Sequence, residues 1–404
     1  MAKRILIFTN HFFPENFKVN ELAQLLNDEG YIVHVVTGLP NYPTGKVFEG
    51  YGLFNKAFEK RNDKFSIRRL PLIPRGDGSK IRLIFNYLSY FISTSTYTLY
   101  LVIFRRKYDV VFVHHTSPIF ITIPPIFYRW LRGSKNILWD LDMWPDTLVA
   151  LNVLKSKSAE AFLEKVITKV YHSYDHILLG SKSFLGKAIQ RVGNIKPAYF
   201  PNWAEQIFSN EEYTKPKIEP KFPNGFKIMY AGNIGQAQDF ENVFNAMKML
   251  KDDPVSWLFV GDGRQREWLE KNINEEGLSS RVTFYGNQPL DLMPYFFSNA
   301  DVMFLSLKDE VIFHKTVPAK LQAYMAFGKP VLAMISGEGA QIIKEAKGGF
   351  VAESGDFEAL VKLVRCYIVL DSKSMEEMSS NNRMFYSDHF SMSSRKKQLM
   401  ELIS

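Results

Sequence analysis

Short apolar runs alternate with amphipathic stretches of helical length along almost the whole chain. RILIFTN at residues 4–10, YIVHVVTG at 31–38 and DVVFVHH at 109–115 are rich in β-branched and aromatic residues, which is typical of buried strands. Residues 19–29, between the first two runs, have the apolar spacing of a helix. Strands that alternate with helices predict a parallel α/β sheet with helices packed on its faces.

The alternating pattern occurs in two series. The first continues with strands predicted over residues 136–142, 176–181 and 197–202. The second has strands predicted over residues 226–235, 256–263, 281–287, 300–307, 329–335 and 348–354. Between the series, NEEYTKPKIEPKFPNG at residues 210–225 holds three prolines and lacks apolar periodicity, as expected of a linker.

We therefore predict an α/β protein of two Rossmann-like domains that face a cleft. The N-terminal domain is predicted over residues 1–205, a linker over 206–225 and the C-terminal domain over 226–384. A C-terminal helix at about residues 385–404 is expected to pack back on the first domain. Ligands bind beyond the carboxyl ends of the strands in such sheets, so the cleft is the expected site.

Composition agrees with a folded chain in a reducing compartment. The 404 residues exceed what one core usually organises, and 46% hydrophobic with 23% charged residues is ordinary for a globular protein. One cysteine, Cys366, excludes internal disulfides. Near the N-terminus, Asn10, His11 and Glu15 end the apolar run too early for a signal peptide, so a cytoplasmic location is expected.

The formal net charge of +8 favours partners that bear phosphate: a nucleotide, an anionic lipid or a nucleic acid. Nucleic-acid binding has only this net charge behind it, because the basic residues are scattered. Residues 80–107 form an apolar, aromatic stretch with basic residues at both ends, but its Asn, Ser and Thr residues weaken a membrane span. A buried or interfacial helix is the favoured interpretation, and a spanning helix is the alternative.

Polar residues and glycines follow three consecutive predicted strands of the second domain. Asn233 and Gly235 follow the first strand, residues 261–263 the second, and Gly286 with Asn287 the third. Each glycine by itself is also compatible with a plain turn. Their joint position at the carboxyl ends of neighbouring strands nevertheless indicates a ligand site.

The stretch from residue 314 to 343 suggests a second element of that site. Thr316 and Pro318 resemble a helix start, with a hydroxyl N-cap and a proline in the first turn, and Lys320 then lies in that turn. Helix N-termini near Pro318 and Ala340 are expected to hold a diphosphate, with Lys320 adding charge. The Ser-Gly-Glu-Gly turn before Ala340 either admits this phosphate or simply turns a corner.

In the first domain, His115 ends one predicted strand, and Asp140 and Asp142 end the next. A carboxylate at Asp142 is suited to position or deprotonate an acceptor hydroxyl. Two structural alternatives remain: Asp142 and Asp146 cap the following helix, and His115 is a hydrogen-bonded core histidine.

Several motifs, spread over nearly the whole length, together carry a family resemblance. They are FFPENFKVNELAQLLNDEGYIVHVVTGLPNYPTG, DMWPDT, YAGNIGQAQDFENVFNAM, FVGDG, YMAFGKPVLA and ISGEGAQII. In content and order the chain resembles GT-B glycosyltransferases of the large retaining family that uses nucleotide-sugar donors. It is most similar to the bacterial subgroup that includes the N-acetyl-L-fucosamine transferases of O-antigen and capsule synthesis.

This resemblance implies transfer of an N-acetylated deoxysugar, such as N-acetyl-L-fucosamine, from a UDP-sugar. The implied acceptor is a polyprenyl-diphosphate-linked sugar at the inner face of the cell membrane, with an anionic membrane surface as a partner and no nucleic acid. No metal cofactor is expected, because the second domain has no Asp-x-Asp pair on a loop; the one at residues 140–142 lies in the first domain.

The family pattern assigns roles only in part. Broad members carry two glutamates where this chain has Lys315 and Ala323, and an Arg and a Lys where it has Asn233 and Gln238. The predicted donor-binding residues are Gly232, Asn233, Gln238, Gly261, Lys315, Lys320, Gly337, Glu338, Gly339 and Ala340. The predicted acceptor-side residues are His11, Glu15 and Asn16, and the catalytic candidates are Asp142 and His115.

Two other activities remain open, and one is excluded. A non-catalytic sugar-nucleotide-binding protein is compatible with the missing glutamates. A sugar-nucleotide 2-epimerase shares the architecture, but its carboxylate and histidine constellation is not evident in this chain. A dinucleotide-dependent dehydrogenase needs a glycine-rich turn after the first strand, and FTNHFFPEN has no glycine.

Overall fold

The computed structural model describes residues 2–150, 154–193, 196–210 and 212–403. It divides into two units, one of Met1–Pro201 with Gln398–Ser404 and the other of Asn202–Lys397. Each unit is built on one sheet with its own hydrophobic core.

The sheet of the first domain has eight strands in the order β3-β4-β2-β1-β5-β6-β7-β8. In chain order they are β1 (Arg4–Thr9), β2 (Ile32–Gly38), β3 (Phe58–Asn62), β4 (Phe65–Leu70), β5 (Val110–His115), β6 (Lys135–Asp140), β7 (His176–Leu179) and β8 (Ala198–Tyr199). The pairing of β3 with β4 is antiparallel and the other pairings are parallel. The central strands β1 and β5 are buried on both faces, which explains their continuous apolar sequences.

The helices of this domain are α1 (Lys18–Asp28), α2 (Lys80–Phe104), α3 (Ile123–Arg132), α4 (Asp146–Ala150), α5 (Lys157–His172) and α6 (Leu185–Val192). In α1, Val19, Leu22, Ala23 and Leu26 are buried, which is the spacing of one helical face.

Strands β1, β5 and β6 are neighbours in the sheet. Their carboxyl ends therefore bring His11, His115 and Asp140 to one edge of the sheet.

The hairpin of β3 and β4 is absent from the sequence-based prediction. Its strands have the sequences FEKRN and FSIRRL, in which charged residues hide the apolar alternation. Arg69 of β4 is almost fully buried, yet its guanidinium lies 2.9 Å from the Glu59 carboxylate and donates to the Phe13 carbonyl at 2.9 Å. A buried cation is tolerated here only because tertiary contacts pair it.

Helix α2 buries several polar side chains and exposes many apolar ones, which is the reverse of the usual pattern of a surface helix. Its buried face carries Asn86, Tyr90, Thr94 and Thr98, and these side chains donate hydrogen bonds to backbone carbonyls. Its exposed apolar side chains are Ile81, Ile84, Phe85, Leu88, Ile92, Leu99, Ile103 and Phe104. Within the described residues, no helix is both long and apolar enough to cross a bilayer.

The second domain has a six-stranded parallel sheet in the order β11-β10-β9-β12-β13-β14. The strands are β9 (Phe226–Ala231), β10 (Val255–Val260), β11 (Val282–Gly286), β12 (Val302–Ser306), β13 (Val331–Met334) and β14 (Gly349–Ala352). Strand β9 is the first of this domain and lies between β10 and β12, so the chain reverses direction across the sheet beside β9. Ligands of doubly wound sheets bind at such a switch point.

The helices of the second domain cover both faces of this sheet. They are α7 (Phe240–Met249), α8 (Arg266–Glu275), α9 (Met293–Ser298), α10 (Val311–His314), α11 (Ala319–Phe327), α12 (Glu338–Ala346), α13 (Phe357–Ile368) and α14 (Ser372–His389). A final helix, α15 (Met392–Ile403), begins in the second unit and ends in the first. The Gln398 side chain donates to the Tyr199 carbonyl at 3.0 Å, and Lys3 donates to the Ile403 carbonyl at 2.9 Å.

The domain boundaries differ from the predicted ones. The first unit ends at Pro201, and the segment predicted as a linker belongs to the second unit, apart from Glu211, which lies outside the described residues. Aromatic side chains hold this segment in place: Phe208 stacks on Phe297 at 5.1 Å between ring centroids, and Phe222 packs 5.3 Å from Tyr285. The helix expected at about residues 385–404 is two helices, and only residues from Gln398 onward belong to the first unit.

Candidate functional site

In the second domain, a pocket lies beyond the carboxyl ends of β9 and β10. Gly232 follows β9 and Gly261 follows β10, with φ angles of 129° and 135°. A Cβ atom on Gly261 would lie 2.1 Å from the Gly232 carbonyl oxygen, and one on Gly232 would lie 2.7 Å from Cε of Lys320. Glycine is therefore required at both positions by the close approach of the two turns and the lysine.

Lys320 is the cation of this pocket. It is the second residue of α11, its ammonium donates to the Tyr230 hydroxyl, and its Nζ lies 3.9 Å from the centroid of the Tyr230 ring. The Tyr230 hydroxyl in turn donates to the Asn233 carbonyl at 2.5 Å. Desolvation in the pocket lowers the pKa of Lys320 to about 7. An anion placed here would stabilise the protonated form.

The pocket has a volume of about 560 Å³. Its lining combines the two glycine turns with hydrogen-bonding and apolar side chains, among them Glu205, Phe208, Asn233, Asp262, Asn287, Gln288, Met293, Lys320 and Ala323. Ala323, a position at which the family resemblance implies a carboxylate, belongs to this lining. The arrangement offers one cation for a phosphate and several polar groups for the hydroxyls of a sugar.

The other predicted donor residues lie outside this lining. Gln238 accepts a hydrogen bond from the Gly235 backbone N–H at 3.0 Å and so shapes the loop after β9. Lys315 is the C-cap of α10. Helix α11 begins at Ala319 with Pro318 as its N-cap, so the prediction that Thr316 is the cap is wrong; the Thr316 hydroxyl donates to the Phe313 carbonyl.

The Ser-Gly-Glu-Gly turn has a packing role. Gly337 has a φ of 80°, and a Cβ atom there would lie 2.1 Å from the His314 carbonyl oxygen. A Cβ atom on Gly339 would lie 3.2 Å from Cδ of Pro318. Helix α12 begins at Glu338, close to the predicted start near Ala340, and both residues are buried. The turn thus allows α12 to pack against the segment that leads into α11, beside the Lys320 pocket.

In the first domain, the acceptor-side residues His11 and Glu15 form a buried hydrogen-bonded chain with Arg75. Nη2 of Arg75 donates to Nε2 of His11 at 3.0 Å, and Nδ1 of His11 lies 2.8 Å from Glu15. Because a guanidinium only donates, Nε2 accepts and Nδ1 carries the proton. The other Glu15 oxygen accepts from the backbone N–H groups of Asn41 and Tyr42 at 2.8 and 2.7 Å. Glu15 therefore joins two loops.

The third acceptor-side residue, Asn16, is exposed at the start of the segment that leads into α1. The His11 ring stacks on Phe17, with 4.7 Å between centroids and an interplanar angle of 8°. The His11 ring is thus held on one side by a hydrogen-bonded chain and on its face by an aromatic ring. Both ring nitrogens of His11 are therefore occupied, by Arg75 and by Glu15.

The catalytic candidates His115 and Asp142 are linked through Asp140. One Asp140 oxygen lies 2.7 Å from Nδ1 of His115 and accepts from the Asp142 backbone N–H at 3.1 Å. The other oxygen accepts from the Tyr171 hydroxyl. Burial and the Asp140 charge raise the pKa of Tyr171 well above its ordinary range. Nε2 of buried His115 has no hydrogen-bond partner within the described part of the chain.

Asp142 is half-buried, and its carboxylate accepts from the Trp144 indole N–H at 3.0 Å. It lies in the turn between β6 and α4 and lines a cavity. His115 is fully buried, so of the two candidates only Asp142 is accessible to a substrate. Asp140 thus connects the two candidates, and their roles in catalysis stay a prediction.

Sequence reasoning missed Arg75, Tyr171 and Tyr230. Arg75 lies far along the chain from His11 and is brought to it only by the fold. Tyr171 and Tyr230 lie within a helix and a strand, where an aromatic residue is expected in the core. In all three cases the polar tip finds its partner through tertiary contact, for which the sequence contains no local signal.

Among the described residues, no three His, Cys, Asp or Glu side chains are placed to hold a metal ion. The expectation that the reaction needs no metal stays a prediction.

The chain is similar in sequence to known glycosyltransferases. Residues 212–385 match the family Glycosyl transferases group 1. The chain is 27% identical over 304 residues to WbjE of Pseudomonas aeruginosa, a probable glycosyltransferase, with 74% of this chain and 75% of the relative covered. It is 26% identical over 341 residues to WcaI of Escherichia coli K12, a putative colanic acid biosynthesis glycosyl transferase, with 80% and 81% covered.

Among solved structures, Alr3699/HepE of Anabaena in complex with UDP matches with a TM-score of 0.68 and 14% identity over 99% of both chains. Other solved structures also match over both domains, which confirms the predicted two-domain GT-B fold. The family match and the two curated relatives support the glycosyltransferase group 1 family. Membership of the N-acetyl-L-fucosamine subgroup stays a prediction.

Proposed function

We propose that this chain is a group 1 glycosyltransferase that transfers a sugar from a UDP-sugar to a polyprenyl-diphosphate-linked acceptor. The proposed sugar is an N-acetylated deoxysugar such as N-acetyl-L-fucosamine. Transfer proceeds with retention of configuration and serves surface-polysaccharide synthesis. The observation that carries the proposal is the pocket that joins Gly232, Gly261 and Lys320. The occurrence of UDP in HepE, which has the same fold, adds support.

In this mechanism the second domain stabilises the leaving UDP. The diphosphate lies at the N-terminus of α11, where backbone N–H groups point outward and the helix dipole favours a negative charge. Lys320 adds a positive charge as the bond to the sugar breaks. Because the ammonium is held against Tyr230 and little water reaches it, its interaction with the developing charge is stronger than in solution.

The first domain positions the acceptor hydroxyl. Asp142 accepts a hydrogen bond from this hydroxyl and takes its proton as the new glycosidic bond forms. Asp140 holds the Asp142 backbone at 3.1 Å and is itself held by His115 and Tyr171. The buried pair therefore fixes the turn that presents the carboxylate.

We further propose that the protein acts at the cytoplasmic face of an anionic membrane. The exposed apolar face of α2 supports this, because burial of that face in the headgroup region removes apolar surface from water. The neighbouring helix α3 adds exposed Phe127 and Trp130, and Trp is favoured at membrane interfaces. Arg105, Arg106 and Lys107, exposed directly after α2, provide charge complementary to anionic lipids.

The experiment is a UDP-release assay with purified protein, UDP-N-acetylfucosamine or UDP-N-acetylglucosamine, and a lipid extract that contains polyprenyl-diphosphate-linked sugar. Acceptor-dependent UDP release, together with a labelled lipid-linked product, is the expected result. UDP binding without release under any of these donor and acceptor combinations would contradict catalysis and favour a sugar-nucleotide-binding protein. Release of free 2-epimer without an acceptor would identify an epimerase.

A further inference from the structure

The first domain contains an apolar cavity of about 750 Å³ beneath α2. One wall is formed by α2, and the opposite wall by the segment after β5 and by α4. The lining residues are Leu83, Ile84, Tyr87, Leu88, Phe91, Ser117, Pro118, Phe120, Asp142, Trp144, Thr147 and Leu148. Its size falls within the range of about 300–1,000 Å³ that is usual for ligand sites.

The cavity is continuous with the apolar surface of α2. Ile84 and Leu88 line the cavity, yet they are 62% and 50% exposed. On the opposite wall, Phe120 is also a lining residue and is 40% exposed. A ligand therefore passes from the exposed apolar face of α2 into the cavity without crossing a polar rim at these positions.

Two groups of polar side chains lie at the cavity, one around Trp144 and one beside Tyr87. The Trp144 indole donates to the Ser117 hydroxyl at 3.1 Å and to the Asp142 carboxylate at 3.0 Å. The Arg75 guanidinium lies 5.7 Å from the centroid of the Tyr87 ring, another lining residue. An otherwise apolar cavity thus has a candidate catalytic carboxylate in its wall and a cation beside it.

We propose that this cavity binds the first isoprenoid units of the lipid-linked acceptor. The chain enters between Ile84 and Leu88 from the α2 surface, its diphosphate pairs with Arg75, and its sugar hydroxyl reaches Asp142. This inference rests on the proposed function and names the part of the acceptor that the first domain recognises.

The chemistry of the cavity favours an apolar chain with an anionic head over other ligands. A nucleotide base or a free sugar needs several hydrogen-bonding partners, and the walls supplied by α2 offer Leu83, Ile84, Leu88 and Phe91. A wholly apolar molecule has no group to pair with Arg75, whose guanidinium also donates to His11. A lipid diphosphate packs its apolar chain against the walls and pairs its phosphate groups with Arg75.

The test measures binding without catalysis. Farnesyl diphosphate and inorganic diphosphate are each titrated into the full-length protein by calorimetry in saturating UDP, which occupies the second domain. The isoprenoid chain is expected to strengthen binding at least tenfold, about 1.4 kcal/mol, with a negative heat-capacity change from apolar burial. Equal affinity for the two probes would overturn the proposal.

Variants locate the site. Leu148→Trp fills the cavity and is expected to abolish the difference between the probes, whereas Ile103→Trp, on α2 but outside the cavity, is expected to preserve it. Leu83→Trp, from the opposite wall, replaces Leu148→Trp if the latter lowers the melting temperature. A folded cavity variant that still binds farnesyl diphosphate like the wild type would refute the cavity as the site.

Transfer assays separate this inference from the proposed function. Leu148→Trp is expected to raise the KM for a long-chain acceptor at least about tenfold more than the KM for a short, water-soluble acceptor. An equal rise in KM for both acceptors counts against chain recognition in the cavity. Farnesyl diphosphate binding without transfer to any acceptor would overturn the proposed function alone.

Discussion

The ammonium group of Lys320 lies 3.9 Å from the centroid of the Tyr230 ring and donates to the hydroxyl of that ring. Tyr230 belongs to β9 and Lys320 to the first turn of α11, so the contact places a cation at the switch point of the second sheet. Burial lowers the pKa of this lysine to about 7. The site therefore gains most from a ligand that brings negative charge.

Loss of this cation is expected to weaken UDP binding. Lys320→Ala should reduce the affinity for UDP about 10- to 100-fold, because a charge-assisted contact with phosphate is worth about 1.5–3 kcal/mol. Lys315→Ala is the matched control, since Lys315 lies outside the pocket lining, and its effect should stay below about threefold. Calorimetric titration with UDP measures both. Equal losses in the two variants would place the diphosphate elsewhere.

UDP binding is expected to be pH-dependent through Lys320. Above pH ~7 the diphosphate is already ionised, whereas Lys320 loses its proton in the unliganded protein. Lys320 must therefore take up a proton when UDP binds. The affinity for UDP should thus fall as the pH rises to about 9. Titrations in buffers of different ionisation enthalpy measure the proton uptake. Lys320→Arg stays charged and should bind with little pH dependence; an unchanged pH profile in that variant argues against Lys320 as the titrating group.

The same pKa affects folding stability. The folded-state pKa of about 7 lies below the ordinary value of 10.5, so the unfolded chain binds more protons between these two values. The free energy of unfolding contributed by Lys320 therefore rises as the pH increases through this window. Denaturant titrations at pH 7 and pH 9 should show a smaller rise for Lys320→Met than for the wild type.

Gly261 is expected to tolerate no side chain. Gly261→Ala places a Cβ atom 2.1 Å from the Gly232 carbonyl at a φ of 135°, so it should destabilise the fold by about 2–4 kcal/mol. Gly277→Ala is the control, because Gly277 also has a positive φ of 69° but nothing within 4 Å of its Cβ position. That change should cost only about 1 kcal/mol. Similar melting temperatures for the two variants would contradict the steric argument.

Asp142 is expected to act in transfer but not in donor binding. Asp142→Asn keeps the size of the side chain and should lower kcat about 10²- to 10⁴-fold, as for loss of a general base, with an unchanged affinity for UDP. His115→Gln should give a smaller loss, because His115 acts through Asp140. Activity of Asp142→Asn close to that of the wild type would remove Asp142 from the chemistry.

The exposed face of α2 is expected to bind anionic vesicles. Ile92→Glu with Ile103→Glu should reduce vesicle binding at low salt at least about tenfold, since it removes apolar contact and adds repulsive charge. Because both side chains are exposed, the melting temperature should not change. Ile218→Glu, an exposed position of the second domain, is the control. Failure of the wild type to sediment with vesicles would reject the membrane surface as a partner.

The sequence predicted much of the fold but only part of the candidate site. Parallel sheets bury both faces of their central strands, so β1, β5, β9 and β10 appear as continuous apolar runs. The charged hairpin of β3 and β4 was not accessible, because Arg69 is compatible with the interior only through its contact with Glu59. Lys320 was predicted from its place in a helical turn, whereas its partner Tyr230 was not.

Taken by itself, the sequence determined the two series of strands and helices and the glycines at their carboxyl ends, since these depend on local conformation and on periodic burial. Only the tertiary structure decided which of those residues meet. It brought Arg75 to His11, linked His115 to Asp142 through Asp140, and turned the apolar face of α2 outward. Such outcomes depend on contacts between segments distant in the chain, and pairing, burial and charge at each position are fixed only when those contacts form.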